Sequence, residues 1–546
     1  MFREISKIVG TFLWGFSLTL VLPLLIGVYF EFYVEPEYHP QPHSTMAFLI
    51  SIGVCCLLAA CFSLYGRLST ARLFRRESLA AVVLIWVLTP ALAAMPFVFS
   101  GTLSNPVQAY FEATSGITTT GASLLTPKKY NAEGQEIPYE RIVKLELETE
   151  YIWYGTVEPV RNDQGEIIRE GIEAVSKPIL FWRSFLQWLG GLGIIVLFVA
   201  ILPALGVGGR LLFHSEMPGP MKEALTPRIK ETAIVLWKIY VGLSLIQFAL
   251  LIFTNSALPT FDAVCITLST ISTGGFTVIN GSIGAYNNNA TEIVVLIFMM
   301  VGSINFSLYY YSLRGKFYRF YDTELIVYIV VITLSSLFVA SNLVGSIEYS
   351  TQGLEKEVYN VSDAMRIGFF QVISAQTSSG FAVANYDQWP YPLQSLMLIL
   401  IYLGGMAGST AGGMKMIRYI MLFRIAKDKI ELLFRPETVR SFRIGNRTVD
   451  TGAAITVLVF FLTVIFMAVL GTFLLTLDGL DPESALTVIT STINNSGMGF
   501  REAGPTDSYA FLSEFGLMLT SLWMMMGRLE FFTVLVVLVP EFWKRD

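Results

Sequence analysis

The run Thr118-Thr119-Thr120-Gly121-Ala122 is the first of four short segments of small residues that each contain a glycine. The others read Ile271-Ser272-Thr273-Gly274-Gly275, Thr377-Ser378-Ser379-Gly380-Phe381 and Asn494-Asn495-Ser496-Gly497-Met498. Aligned on their first glycine, they all place Thr or Ser directly before it. The aligned glycines are 153, 106 and 117 residues apart, and a polar insert at 126–177 explains the longest spacing. Such self-similarity predicts a repeat architecture.

The residues leading to each glycine also repeat. A proline stands fifteen residues before the glycine in three of the four cases, namely Pro106, Pro259 and Pro482. Asn105 and Asp481 precede two of these prolines, which is the order of an N-cap residue and a proline in the first helical turn. The third repeat has Ser362-Asp363 near the corresponding place. We therefore expect a short helix before each glycine run.

Longer apolar stretches surround these runs. Hydrophobic residues make up 53% of the 546 residues and charged residues 14%, against about 25% charged residues in soluble domains. This composition excludes a soluble enzyme, a disordered protein and a fibrous protein. A helix needs about 20 apolar residues to cross a bilayer. Ten stretches satisfy that rule: 11–32, 46–66, 78–100, 179–205, 231–254, 290–312, 323–344, 391–420, 451–475 and 515–540.

Lys and Arg predict the orientation, because loops rich in them stay in the cytoplasm. They concentrate in the segments 67–77, 206–230, 313–320 and 418–447, whereas 33–45 has none. We expect these basic loops and both termini on the cytoplasmic side, as ten spans require.

Other classes of site find little support. The net charge of −5 is small and says little about partners, but a pI near 5.5 argues against a nucleic-acid partner, which would need a basic overall balance. The four cysteines and three histidines are scattered without metal-ligand spacing, so we expect no zinc, haem or iron–sulfur cofactor. No histidine or paired aspartate lies in a span, which argues against a membrane enzyme.

The four glycine runs predict a cation pathway. Non-helical backbone is tolerated at membrane depth only where it is buried or lines water. Four such segments around one axis would offer rings of carbonyl oxygens that replace the hydration shell of a cation. The runs contain no charged side chain, which favours a monovalent cation over a divalent one. A single run of this kind would be read as a turn between packed helices, but four matched runs favour a pore.

The layout of span, short helix, glycine run and span, four times in one chain, resembles the Trk/Ktr/HKT superfamily of cation-uptake proteins. The stretches that carry the resemblance are 115–123, 187–216, 269–277, 404–418 and 527–532. Two additional N-terminal spans are similar to the TrkH/TrkG branch rather than the KtrB branch. The resemblance implies an all-α membrane protein with a fourfold pseudo-repeat around one pore, plus two extra N-terminal transmembrane helices.

The family also implies the function and the partners. Glycine at all four positions goes with potassium preference, so the resemblance implies transport of K⁺ and Rb⁺. It implies a homodimer with one pore per protomer, and TrkA-like nucleotide-binding regulatory subunits on the cytoplasmic side. The location implied is the plasma membrane of a bacterium or archaeon. A Na⁺-permeable or ion-coupled transporter of the same superfamily remains the alternative.

The predicted span 391–420 holds a glycine-rich segment whose glycines are Gly404, Gly405, Gly408, Gly412 and Gly413. Glycine destabilises a helix interior by roughly 1 kcal/mol relative to alanine, so we expect the helix to break here. A small-residue packing face is the alternative, because three of these glycines recur every fourth residue. In the family this segment obstructs the pore and acts as a gate.

Charged residues inside spans are functional candidates. Arg528 has two open roles, a contact with carbonyl groups of the glycine-rich segment or an ion pair with Glu530. In the first role its charge would repel cations. We expect Arg183 and Lys238 to extend to the membrane interfaces.

These patterns divide the chain into five parts. They are two N-terminal helices (1–70), repeat 1 with the insert (71–210), repeat 2 (211–315), repeat 3 with the glycine-rich segment (316–440) and repeat 4 (441–546). Within the insert, Asn162-Asp163-Gln164-Gly165 predicts a hairpin turn. We expect the insert to form an outer cap, either as solvated decoration or as a weak concentrator of cations.

Overall fold

The structure is a computed structural model that describes residues 2–34, 43–69, 75–144, 148–193, 229–351, 355–435, 443–444, 447–448 and 451–544. The predicted basic segment 206–230 lies almost entirely outside the described residues, as does the second half of the predicted span 179–205. The boundaries predicted at 70/71, 210/211 and 440/441 also fall outside them.

Helices dominate the described part of the chain. They are α1 (Phe2–Thr19), α2 (Val21–Phe32), α3 (Ser44–Tyr65), α4 (Arg75–Phe99), α5 (Pro106–Ile117), α6 (Lys177–Trp188), α7 (Ile229–Thr254), α8 (Thr260–Ile271), α9 (Asn289–Ser303), α10 (Phe306–Leu313), α11 (Thr323–Leu343), α12 (Val361–Gln376), α13 (Tyr391–Tyr402), α14 (Met416–Phe434), α15 (Thr451–Leu477), α16 (Pro482–Ile493), α17 (Glu514–Arg528) and α18 (Phe532–Leu538).

Six spans in the described residues are long and apolar enough to cross a membrane without a sharp bend. Two further candidates are bent pairs: α9 and α10 meet at 94°, and α17 and α18 meet at 117°. The prediction of ten full spans is therefore only partly confirmed. The span predicted at 391–420 is interrupted between α13 and α14.

The four short helices α5, α8, α12 and α16 are present where the sequence predicts them. Asn105 caps α5 by accepting from the backbone N–H of Val107, and Asp481 caps α16 in the same way. The cap of α12 is Asn360, whose side chain accepts from the backbone N–H of Asp363. The predicted Ser362-Asp363 therefore lies inside the first turn rather than at the cap.

Within the described ranges, five two-stranded antiparallel sheets lie in the connections between helices. Their strands are β1 (Lys129–Tyr130), β2 (Glu136–Ile137), β3 (Tyr139–Lys144), β4 (Glu148–Trp153), β5 (Val160–Arg161), β6 (Ile167–Arg169), β7 (Ile347–Tyr349), β8 (Glu355–Val358), β9 (Arg443–Ile444) and β10 (Arg447–Thr448). Three of the sheets belong to the insert. The predicted hairpin turn at 162–165 is confirmed, because it joins β5 to β6.

In the part of the chain that the structure describes, the buried apolar residues form two large clusters. One joins the N-terminal helices to the elements of repeats 1 and 4, and the other joins repeats 2 and 3. Trp182 of α6 anchors the N-terminal helices, since its ring packs 6.1 Å from those of Phe16 and Phe48. Its indole N–H donates to the carbonyl oxygen of Ala93 at 3.0 Å. The two extra helices therefore brace repeat 1 from outside.

Candidate functional site

Each short helix ends in the same backbone motif. The residue two places after the last helical residue has a positive φ: 58° at Thr119, 53° at Thr273, 53° at Ser378 and 51° at Asn495. The residue after it donates its N–H back to a serine carbonyl five positions earlier, at 2.8–3.0 Å, in all four cases. This is the Schellman arrangement that satisfies carbonyls at a helix end. The motif turns the chain out of the helix identically four times.

The motif corrects the predicted alignment of the second run by one residue. Two places after each of the positive-φ residues Thr119, Thr273, Ser378 and Asn495 stands a glycine that also has a positive φ. These glycines are Gly121, Gly275, Gly380 and Gly497. Gly275 therefore corresponds to Gly121, while Gly274 occupies the place of Thr120. Ile271 is the last residue of α8 rather than a member of the run. The four ring segments are 118–121, 272–275, 377–380 and 494–497.

The ring segments close into a cycle. A Cβ atom added to Gly121 would lie 2.2 Å from the carbonyl oxygen of Gly274. The corresponding distances are 1.9 Å from Gly275 to the Ser379 oxygen, 2.6 Å from Gly380 to the Ser496 oxygen and 2.4 Å from Gly497 to the Thr120 oxygen. Each glycine thus lies against the carbonyl of the next segment, and the fourth returns to the first. Only glycine fits at these four positions, because φ is positive and because a Cβ atom would collide with the carbonyl oxygen of the next segment.

Side chains hold the ring segments from behind. The hydroxyl oxygens of Thr118 and Thr120 are 2.8 Å apart, and those of Thr377 and Ser379 are also 2.8 Å apart. Asn495 donates from its amide to the Thr120 hydroxyl at 3.0 Å, which ties segment 4 to segment 1. All of these residues are buried. These side chains therefore hold one another in place within and between the ring segments.

In the second segment this bracing comes from Gln187 of α6. Its amide Nε2 donates to the carbonyl oxygen of Gly274 at 2.6 Å, and its Oε1 accepts from the backbone N–H of Phe276 at 3.1 Å. Gln187 is completely buried. The predicted site did not include it, although it opens the stretch 187–216 that carries the family resemblance.

A cavity of about 990 Å³ lies on one side of the ring, and all four ring glycines line it. The insert forms part of its wall through residues that include Tyr139, Trp153, Glu170 and Glu173. The expected cap is thus in contact with the space directly above the ring.

Arg183 lines the same cavity, and its position corrects the expectation that it extends to the membrane interface. The residue is 1% exposed, and its guanidinium pairs with the fully buried carboxylate of Glu112 at 2.9 Å. It also donates to the Thr277 carbonyl oxygen at 3.1 Å and to the Ser123 hydroxyl at 3.0 Å. This pair links the chain after ring segment 1 to the chain after segment 2. Lys238, by contrast, is exposed.

The insert is joined to repeat 4 by charged and polar contacts. Arg141 of β3 pairs with Glu502 at 3.2 Å and with Asp507 at 3.0 Å. Tyr151 of β4 donates from its hydroxyl to Asp481 at 2.5 Å. Burial raises the pKa of the Glu502 carboxyl to about 7, although Arg141 opposes the shift. Burial likewise raises the pKa of Asp507.

The predicted helix break is confirmed between α13 and α14. Residues 403–415, which contain the predicted glycines Gly404, Gly405, Gly408, Gly412 and Gly413, form a non-helical loop. Gly408 has φ 77° and Gly413 φ 68°. The alternative of a helical packing face is therefore wrong. The glycines instead let the loop fold on itself, because a Cβ on Gly404 would meet the Gly412 oxygen at 2.4 Å.

The 403–415 loop contacts the ring segments at residues that precede the glycines, away from the cavity. The N–H of Gly412 donates to the Ser378 hydroxyl at 2.5 Å. A Cβ on Gly412 would lie 2.4 Å from the Asn494 oxygen. The hydroxyl of Thr410 lies 3.1 Å from the carbonyl oxygen of Ile271. The loop therefore contacts repeats 2, 3 and 4 beneath the ring.

Arg528 binds the loop, as the first of its two predicted roles requires. Its guanidinium donates to the Thr410 carbonyl oxygen at 2.9 Å and to the carbonyl oxygens of Gly190 and Gly191 at 2.7 and 2.9 Å. Glu530 forms an ion pair with Arg418 at 2.7 Å. Arg528 thereby links the loop of repeat 3 to the residues that follow α6 in repeat 1.

Three comparisons with known proteins agree. The family model TrkH, described as a cation transport protein, matches residues 163–545. The Trk system potassium uptake protein TrkH of Halomonas elongata is 31% identical, covering 100% of this chain and 99% of the relative. TrkH of Escherichia coli strain K12 is 32% identical with the same coverage. The crystal structure of the potassium transporter TrkH from Vibrio parahaemolyticus matches with a TM-score of 0.77 and 28% identity, covering 100% of both chains.

Proposed function

The chain belongs to the TrkH family of cation transport proteins, and from this premise we propose that its ring segments form a selectivity filter for K⁺ and Rb⁺. The protein is a membrane transport protein rather than an enzyme, and K⁺ is its transported ion. Conduction is channel-like, by passage of the dehydrated ion through backbone carbonyl groups.

The observation that carries this proposal is the closed cycle of glycine–carbonyl contacts. Four equivalent carbonyl oxygens, from Thr120, Gly274, Ser379 and Ser496, face the glycines of neighbouring segments. Carbonyl oxygens at such a ring can replace the water ligands of a cation. The C-terminal ends of α5, α8, α12 and α16 add partial negative charge at the same place.

Residues 403–415 act as an intramembrane gate in this proposal. They lie against the ring from the side opposite the cavity, and Arg528 places a positive charge beside them. A cation leaving the ring would meet both the loop backbone and this charge. Opening requires the loop to leave its partners on repeats 2, 3 and 4.

The remaining family properties are also part of the proposal. They comprise a homodimer in membrane lipid with one pore per protomer, and TrkA-like nucleotide-binding subunits that act on the gate from the cytoplasm. The protein would lie in the plasma (inner) membrane of a bacterium or archaeon with both termini cytoplasmic. The division into two N-terminal helices and four repeats, with the predicted boundaries, belongs to the same proposal.

Cation flux into liposomes that contain the purified chain tests the proposal. We expect K⁺ and Rb⁺ to enter much faster than Na⁺ and Li⁺, and Gly121→Ser to reduce this preference. Equal rates for all four ions would favour the Na⁺-permeable or ion-coupled alternative.

Deleting residues 407–411 separates a closed gate from a wrong function. We expect the deletion to raise K⁺ flux, because it removes the part of the loop that contains Thr410. A variant that is folded, by its elution as a single species in detergent, and yet conducts no cation would refute the proposed pore.

A further inference from the structure

Ring segment 2 differs from the other three behind the carbonyl ring. Thr120, Ser379 and Ser496 carry hydroxyl side chains at the position before the ring glycine, whereas Gly274 carries none. Gly274 does not have a positive φ, so its backbone conformation is open to residues with a Cβ. Backbone geometry therefore does not explain the second glycine of this segment.

Gln187 explains it. A Cβ on Gly274 would lie 2.4 Å from the Cδ atom of Gln187 and within 2.8 Å of both polar atoms of its amide. The amide cannot swing away freely, because it is completely buried and bonded at both ends to segment 2. Gly274 is thus small because the side chain of Gln187 fills the space that a hydroxyl residue fills elsewhere.

Gln187 takes the place of a hydroxyl side chain in its hydrogen bonding as well as in the space that it fills. In segment 4 the backbone N–H of Met498, which follows the ring glycine, donates to the Ser496 hydroxyl at 3.3 Å. The equivalent N–H in segment 2 is that of Phe276, and it donates to Gln187 Oε1. Gln187 therefore makes the contact that a serine hydroxyl makes in segment 4.

Gln187 adds one contact directly on the ring. Its Nε2 donates to the carbonyl oxygen of Gly274 at 2.6 Å, and this oxygen is the one that closes against Gly121. A fixed donor holds that carbonyl in one orientation. Without it the oxygen is free to move towards a smaller ion, and the ring loses discrimination against Na⁺.

We propose that Gln187 of repeat 1 is a specificity-determining positioning residue for ring segment 2, where it replaces the missing side chain of Gly274 and fixes the Gly274 carbonyl. This inference rests on the proposed function of the ring as a filter.

The test is the ratio of K⁺ to Na⁺ flux in liposomes, in the full chain and in the chain lacking 407–411. Gln187→Met keeps most of the side-chain volume and removes both hydrogen bonds. We expect it to lower the ratio by about tenfold, the change that corresponds to one well-made buried hydrogen bond. Gln247→Met is the matched control, because Gln247 is fully buried and neither polar atom of its amide has a hydrogen-bond partner among the described residues.

A compensating pair gives the second measurement. Gly274→Ser alone collides with Gln187, and we expect a lower ratio. The double variant Gln187→Ala/Gly274→Ser relieves the collision and offers Phe276 a hydroxyl acceptor, as in segment 4, but it lacks the donor to the carbonyl of residue 274. We therefore expect a ratio above that of Gly274→Ser and below that of the wild type, since coupled neighbouring sites are non-additive.

The outcomes separate the two hypotheses. If the wild-type and the loop-deleted chains show no preference for K⁺, the proposed function fails. If both prefer K⁺ and Gln187→Met keeps the wild-type ratio, the role of Gln187 is refuted. A parallel loss of K⁺ and Na⁺ flux with an unchanged ratio would mean a merely structural role. Should Gln187→Met not fold, a double variant no better than Gly274→Ser alone would also overturn the inference.

Discussion

Thr410 of the 403–415 loop is held by hydrogen bonds of both its backbone and its side chain. Its backbone N–H and its hydroxyl both lie within 3.1 Å of the Gly302 carbonyl oxygen. The hydroxyl also lies 3.1 Å from the Ile271 carbonyl oxygen at the end of α8. Its own carbonyl accepts from Arg528. Replacing Thr410 by valine removes the hydroxyl and leaves the rest of the side chain nearly unchanged in shape.

The expected size of the effect follows from these contacts. Thr410 is completely buried, so the valine variant removes a buried hydroxyl donor that the Gly302 and Ile271 carbonyl oxygens share, while Gly302 keeps the backbone N–H of residue 410. That loss destabilises the closed loop by about 1 to 2 kcal/mol. A difference of that size changes a two-state equilibrium by roughly 5- to 30-fold. If the loop gates the pore, K⁺ flux through the chain increases by a similar factor.

Flux of K⁺ into liposomes measures this directly. Thr410→Ser retains the hydroxyl and should conduct like the wild type. Thr463→Val is a matched control on α15. Among the described residues, the Thr463 hydroxyl bonds only within its own helix, to Val459 at 2.9 Å, and the side chain is not buried. The reasoning is refuted if Thr410→Val conducts within about twofold of the wild type while the 407–411 deletion increases flux. In that case other contacts would keep the loop closed.

Three further predictions follow from the same geometry. Gly275→Ala should abolish K⁺ preference, because φ is 85° and a carbonyl oxygen lies 1.9 Å from the new Cβ. Gly242→Ala should keep the preference, because no atom of the described residues beyond its own helix lies within 4 Å of its new Cβ; equal flux ratios for the two variants would contradict the corrected alignment. Arg528→Ala should raise K⁺ flux by about tenfold, since a hydrogen bond from a charged group contributes about 1.5 kcal/mol or more; unchanged flux would exclude a barrier role. Burial raises the pKa of Glu502 from 4.5 to about 7. The protonated carboxyl therefore makes its full contribution to the stability of the fold below about pH 4.5, and this contribution is lost as pH rises through 7. Proteolysis of the insert that carries Arg141 should therefore quicken from pH 5 to pH 8, and Glu502→Gln should remove this dependence.

Local sequence signals located the short helices well. Asn105 and Asp481 are caps in the structure because their side chains accept backbone N–H groups at the first turn, as these residue types do in any helix. The break at 403–415 was predictable for a similar reason, since glycine destabilises a helix through the local backbone. In both cases the physical cause lies within a few residues along the chain.

The one-residue error in the alignment of the second run shows what local spacing does not determine. The sequence Gly274-Gly275 offers two candidates for the ring position, and spacing from Pro259 favoured the first. The structure assigns Gly275, because its φ is positive and it meets the carbonyl of Ser379. Pro259 is the N-cap of α8, whereas Pro106 is the first residue of α5. A single-residue difference in the helix start cannot be read from spacing alone.

Composition, apolar stretches and the four glycine runs determined that this is a helical membrane protein built from repeats with a candidate cation pathway. These features depend on burial in lipid and on backbone conformation, which are encoded locally. Only the tertiary structure decided that Gln187 fills the place beside Gly274, that Arg183 pairs with Glu112, and that Thr410 and Arg528 meet. Such contacts join residues 71 to 118 positions apart, and their formation depends on how helices pack, which no local pattern in one sequence specifies.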